Sequence, residues 1–163
     1  MAENRPNMKN VAVLLARVKD FGEHQVRVGV PSSKAARTDD SELNNAQIAA
    51  VNEFGSTDGR IPERSFLRSA LVENKNKHAR LMGQAARRVS EGRESSATAL
   101  GRVGFIAASD VKKKIVNGPF VENADSTKRA KMREHPGEAI KPLIDHGQLI
   151  QSIDSLVTKK GSS

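Results

Sequence analysis

Apolar residues recur along this chain at two spacings. Met8, Val11, Leu14, Leu15 and Val18 lie three and four residues apart, the period of one helix face. Asn7 is a candidate cap for that helix, and Phe21-Gly22 its expected end. The segment His24-Gln-Val-Arg-Val-Gly-Val30 alternates instead. It predicts a strand with Val26, Val28 and Val30 on the core side, closed by Pro31. A polar loop follows at about 31–42. Leu43, Ala46, Ala50, Val51 and Phe54 then mark one face of a short helix that Gly55 stops. Pro62 and Glu63 suit the first turn of the next helix, whose stripe is Phe66, Leu67, Ala70, Leu71, Leu81, Met82, Ala85 and Val89. Phe66 and Leu67 read as core anchors. The stripe is interrupted at 74–78, where a bend or break is predicted.

Beyond Gly92 the spacing of Leu100, Val103, Ala107, Val111 and Ile115 predicts a helix over 95–117, ended by Gly118-Pro119. Residues 119–142 are mostly polar and include Pro136-Gly137; they predict a long loop with one turn of helix after Ser126. Gly147 suits a backbone turn that Asp145 would cap. From Leu149 a short turn leads into a last strand, with Ile153, Ser155 and Val157 on one side. The fold class expected is α+β: one domain over residues 1–163, with a small antiparallel sheet from both chain ends packed against long helices. Residues 1–6 and 159–163 are expected to be flexible. So small a sheet leaves edges to which other chains can add.

Composition narrows what this object can be. The chain has 163 residues, is 37% hydrophobic and contains five Phe but no Tyr or Trp, so its core must be aliphatic. It has no cysteine, which removes disulfides and thiol chemistry. No apolar run approaches the ~20 residues of a membrane-spanning helix, and Val11 to Ala16 is too short for a secretory signal. A soluble protein is expected, with no membrane partner. Lys and Arg number 27 against 19 Asp and Glu, a formal charge of +8. Such an excess attracts polyanions or an acidic partner, and equally keeps a solvated surface soluble.

Candidate chemistry is thin. Asp145-His146 is the best acid–base pair, but sequence neighbours point apart in extended chain and no nucleophile accompanies them; a structural turn is the better reading. His24, His78, His135 and His146 are scattered without metal-ligand spacing and read as surface residues. Asp39-Asp40 and Asp58-Gly59 lack the ligand spacing of a calcium loop and read as turns. Gly101-Arg-Val-Gly104 lacks the rest of a dinucleotide fingerprint; close helix packing at small residues fits it better. Arg87-Arg88 and Lys112-Lys113-Lys114 fall late in two predicted helices. They complement helix dipoles, or form a surface facing DNA or a partner. Without Tyr or Trp the chain lacks the usual stacking platform of a dedicated nucleic-acid module. Neither an enzyme nor a cofactor is indicated.

Several phrases in fixed order carry a resemblance. Val26-Arg-Val-Gly-Val30 precedes Ala46-Gln-Ile-Ala-Ala-Val-Asn-Glu-Phe-Gly55, then Ile61-Pro-Glu-Arg-Ser-Phe-Leu-Arg68. Asp110-Val-Lys-Lys-Lys-Ile-Val-Asn-Gly118 and Asn123-Ala-Asp-Ser-Thr127 follow, and Lys141-Pro-Leu-Ile-Asp-His-Gly-Gln-Leu-Ile-Gln-Ser-Ile153 closes the series. The ordered set resembles the neck or tail-completion (head–tail joining) proteins of tailed bacteriophages, over most of 24–157. His146 stands where that family usually has Thr, and the aromatics that usually follow Ser152-Ile153 are missing, so a short final strand is expected. The resemblance implies a virion structural protein, assembled in the host bacterial cytoplasm. It implies a homo-oligomeric ring, a hexamer first and a dodecamer second, between the head-connector and tail-tube proteins. Genomic DNA would pass non-specifically through the lumen. A tail-terminator ring and a sequence-independent DNA-binding protein are the alternatives.

Overall fold

A computed structural model describes residues 8–38, 41–134, 136, 141–144 and 147–161. In chain order it contains helix α1 (Met8–Glu23), strand β1 (His24–Gly29), a 3-10 turn (Ser32–Lys34) and helices α2 (Asn45–Phe54) and α3 (Leu67–Glu73). Helices α4 (Lys75–Ser90), α5 (Ser96–Asn117), α6 (Asp125–Glu134) and α7 (Gln148–Ser152) follow, and strand β2 (Asp154–Lys159) closes the series. The architecture is α+β, as the hydrophobic pattern predicts. The strands come from opposite ends of the chain and pair antiparallel, Val26 opposite Val157 and Val28 opposite Ser155. The expected tail begins later than predicted: Lys159 pairs with His24, and the Lys160 amide donates to the Glu23 carbonyl at 2.7 Å.

Helix α5 is the axis of the domain. Ser95 caps it by accepting from the Thr98 amide. All five residues of its predicted stripe, Leu100 to Ile115, are buried. The neighbouring stripe from Phe66 to Val89 does break, at Asn74, so α3 and α4 meet α5 separately. Phe66 and Ala70 join Ala108, Val111, Ile115 and Ile153 in one core cluster. Ala85 and Val89 join Ala99 and Val103 in a second. The break lets the two halves of the stripe serve two ends of the same 22-residue helix.

Four predicted details change. Pro62 does not begin a helix; residues 62–66 are irregular and α3 starts at Leu67. Helix α2 turns a different face inward: Asn45 and Glu53 are buried, while Leu43 and Phe54 are exposed. Asn45 is drawn in because its side chain donates to the carbonyls of Lys34 and Ala36 and accepts from Arg37. Part of the predicted 119–142 loop is helix α6. It lacks a hydrophobic stripe and is laced by Lys128, which pairs with Glu122 at 2.5 Å and lies 3.8 Å from Asp125. Helix α1 continues through Gly22 to Glu23, and none of its residues is buried. The Asn7 cap, residues 1–6, Asp39-Asp40 and the Asp145 cap lie outside the described residues.

Gly104 sets the distance between α5 and the sheet. A Cβ built there would stand 2.6 Å from Ser155 Oγ and 2.9 Å from Val26 Cγ1, whereas one at Gly101 meets nothing within 4 Å. Close packing at a small residue is therefore right for Gly104 alone. Gly147 holds the expected turn, with φ 71° at the start of α7. Replacing Gly104 by Val is expected to force α5 off the sheet and cost about 1–3 kcal/mol, as overpacking does. Gly101→Ala should instead be neutral or stabilising by up to ~1 kcal/mol, because Ala is the better helix former. Chemical denaturation of both variants measures the contrast; equal effects would refute the close-approach reading.

Candidate functional site

The two central phrases of the sequence, Asn52-Glu-Phe-Gly55 and Ile61-Pro-Glu-Arg-Ser-Phe-Leu-Arg68, build one polar lock. Gly55 ends α2 with φ 78°, and the chain doubles back through a turn at 56–61. There Ser56 Oγ bonds Asp58 Oδ1 at 2.6 Å, and Asp58 also accepts from the Arg60 amide. This confirms Asp58-Gly59 as turn chemistry. The returning strand of chain lies against α2: the Arg64 amide donates to the Asn52 carbonyl at 2.7 Å, and a Cβ on Gly55 would sit only 3.2 Å from Glu63 N.

Glu53 is the centre of the lock. Its side chain is 5% exposed. It accepts from Ser65 Oγ at 2.8 Å, from the Leu67 amide at 2.8 Å, and from the Arg68 amide and Nε, both at 3.0 Å. The carboxylate of one helix thus satisfies the first free amides of another, where the α3 dipole also favours negative charge. Burial raises the Glu53 pKa, but the Arg68 and Leu67 amides, the Ser65 hydroxyl and the Arg68 guanidinium outweigh it. The carboxyl is held below the ordinary glutamate range.

Arg64, also buried, points the other way. Its Nε donates to the Val121 carbonyl at 2.8 Å and its Nη2 to the Glu122 carbonyl at 3.0 Å, with Asn52 and Asn123 oxygens at 3.3 Å. It ties the segment beyond α5 to the lock. A second buried carboxylate, Asp110 of α5, joins Lys77 Nζ at 2.6 and 2.7 Å and His78 Nε2 at 2.9 Å. A carboxylate only accepts, so His78 carries its proton on Nε2. Burial again opposes ionisation, and Lys77 and His78 overcome it, lowering the Asp110 pKa. These contacts pin the start of α4 to α5.

The predicted basic residues do not converge. Helices α4 and α5 form an antiparallel hairpin, so Arg87 and Arg88 lie at its turn and Lys112, Lys113 and Lys114 at the far end. About fifteen residues of helix rise separate the two groups, roughly 20 Å. Most of them are paired. Arg87 bonds Glu91 at 2.9 Å, Arg88 bonds Glu94 at 2.6 Å, and Lys114 bonds Glu73 at 2.5 Å. Glu94 is shared with Arg102. Lys112 helps hold the Asp154 pKa low, behind the larger effect of Lys34. Lys113 is exposed and lines a cleft of about 310 Å³ with Glu73, Asn74 and Asp110. Within one chain Arg87-Arg88 and Lys112–Lys114 therefore form two separate basic groups.

Two histidines also differ from expectation. The side chains of His24 and His78 are 14% and 16% exposed, and His24 Nδ1 lies 2.6 Å from the Asp20 carbonyl. They are structural residues of helix ends rather than surface histidines. Asp145-His146 and His135 lie outside the described residues. Among the described residues no three His, Asp or Glu side chains cluster as metal ligands, and no helix is long and apolar enough to cross a membrane. No family model, no curated protein and no solved structure matches the chain.

Sequence reasoning missed the Glu53 and Asp110 centres. Their signal is a carboxylate placed on the inward side of a helix, and that side is known only once the helices are packed. Glu53→Ala is expected to cost about 3–5 kcal/mol, because buried donors lose their acceptor. Glu53→Asp, too short to reach both α3 amides, should fall between. Both lowered carboxyls give the same pH sign. Their contribution is full above the unfolded carboxyl range near pH ~4 and is lost as pH falls through the lower folded values. Acid melts of Glu53→Ala should therefore be flatter below pH ~5 than those of the parent; parallel curves would exclude Glu53 as a source of acid sensitivity.

Proposed function

We propose that this chain is a structural subunit of the neck of a tailed bacteriophage, a ring that completes the tail or joins it to the head connector. The carrying observation is the ordered set of phrases from Val26 to Ile153, with their resemblance to tail-completion proteins. The geometry gives those phrases a physical reason to occur together. Glu53 and Arg64 spend their hydrogen-bonding capacity inside the domain, on α3 and on the 121–123 segment. They are framework residues, as suits a protein whose work is done by its surfaces.

The net charge of +8 supports a place beside DNA. In a ring, side-to-side contacts are heterologous, and DNA threads the lumen without base-specific contacts. Of the predicted lysines, Lys113 is the best placed to face a polyanion, since Lys114 is engaged with Glu73.

Virions assembled without this protein are expected to accumulate as separate heads and tails, each of normal appearance by electron microscopy. Normally joined particles would overturn the proposal, as would native mass measurement of isolated necks showing a single copy. Charge reversal of the lysine cluster at Lys113, which spares the Glu73 pair, is expected to reduce DNA retention or the yield of completed necks. Unchanged yield and infectivity would make Lys113 a solvated residue and leave the neck assignment standing.

A further inference from the structure

Helix α6 has no apolar stripe to bury, and it lies beside a mixed cleft instead. Thr127 and Lys131, one helical turn apart, line a space of about 190 Å³ that α2, α7 and the segment around Arg37 complete. Ile48, Leu143 and Leu149 form its apolar part. Arg37 and Lys131 bring two cations, and no described residue lining the cleft is an Asp or Glu.

Donors and acceptors around this cleft are out of balance. Each side-chain carbonyl on its wall already accepts: Asn52 Oδ1 from Arg64 Nη1 and Asn123 Oδ1 from Arg64 Nη2, both at 3.3 Å, and Gln148 Oε1 from the Thr38 amide at 3.0 Å. The bond from Arg64 also fixes which way the Asn123 amide is turned. Its Nδ2 is buried and has no acceptor. A buried donor left in that state is costly, and native proteins rarely keep one without a reason. Arg37 donates to Asn45 Oδ1 at 2.9 Å, and Lys131 to the Ile144 carbonyl. A guanidinium and an ammonium each carry several donors, so both can serve more than one acceptor.

We propose that this cleft binds a carboxylate carried on a short aliphatic stem. A carboxylate only accepts, and the two cations and Asn123 Nδ2 only donate. Ile48, Leu143 and Leu149 give the stem an apolar place to lie. A phosphate fits less well, since every oxygen it carries needs a polar partner and part of the wall offers none. The space is smaller than the ~300–1,000 Å³ pockets of drug-sized ligands, so the ligand is short. It is a small acid or the terminal carboxylate of another chain. The inference goes beyond the neck assignment and does not rest on it.

Nuclear magnetic resonance of the full-length protein reads the site through the Asn123 side-chain amide. Butyrate is expected to shift that resonance saturably, with a millimolar dissociation constant, and butyramide, its uncharged analogue, is not. Inorganic phosphate should bind at least about tenfold more weakly than butyrate. Lys131→Gln is expected to weaken butyrate at least about tenfold and Lys131→Arg to keep it, whereas Arg133→Gln, an exposed change on the same helix, should have no effect. Short peptides ending in Val, with a free or an amidated terminus, separate the two sources. Tighter binding of the free peptide than of butyrate assigns the cleft to a chain end, and weaker binding assigns it to a small acid. The absence of a saturable shift with butyrate would overturn the proposal. So would equal shifts from butyrate and butyramide, or from butyrate and phosphate, and so would full binding by Lys131→Gln. Circular dichroism checks that the variants fold, and the comparison of butyrate with butyramide on the parent decides the matter if Lys131→Gln does not.

Discussion

The buried carboxylate of Glu53 is the contact on which the middle of this fold depends. Residues 55–66 carry no regular structure of their own, so the direction in which α3 leaves them must come from elsewhere. It comes from the last turn of α2, which presents a negative charge to the Leu67 and Arg68 amides and to the Ser65 hydroxyl. A charge so enclosed is costly unless every lone pair is used. Here the two oxygens accept four hydrogen bonds, one of them from a guanidinium. With α3 aimed, Phe66 falls into the aliphatic cluster around Val111 and Ile115, and Arg64 is left in position to hold the segment that follows α5.

The α4–α5 hairpin has a parallel design. Asp110 fastens one end through Lys77 and His78, and Glu94 gathers Arg88 and Arg102 at the other. Between these polar fastenings the packing is small and aliphatic, as a chain without Tyr or Trp requires. Gly104 then allows α5 to lie close on a sheet of only two strands. Such a ribbon is marginal alone and gains its stability from that helix. The same economy explains why so much positive charge remains on the surface: many basic groups serve to satisfy a few acids placed where helices end.

Helix α1 and the basic groups show how a pattern can be right in sequence and different in meaning. The stripe from Met8 to Val18 does form one helix face, yet the domain does not cover it. The lysine and arginine clusters do sit late in their helices, yet the hairpin sends them to opposite ends.

The sequence by itself determined α5, β1, the break near Asn74 and the last strand, because a period of hydrophobic residues states which side of an element must leave water. Stops such as Gly55 and Gly92 were legible for the same local reason. The inward turn of α2, the helix in 125–134 and the Glu53, Arg64 and Asp110 centres were decided only by tertiary structure. In each the decisive partner is distant in the chain, or a polar group goes inside because another element needs it. The free energy of a buried charge depends on donors brought together by folding, and no local pattern of apolar and polar residues encodes their positions.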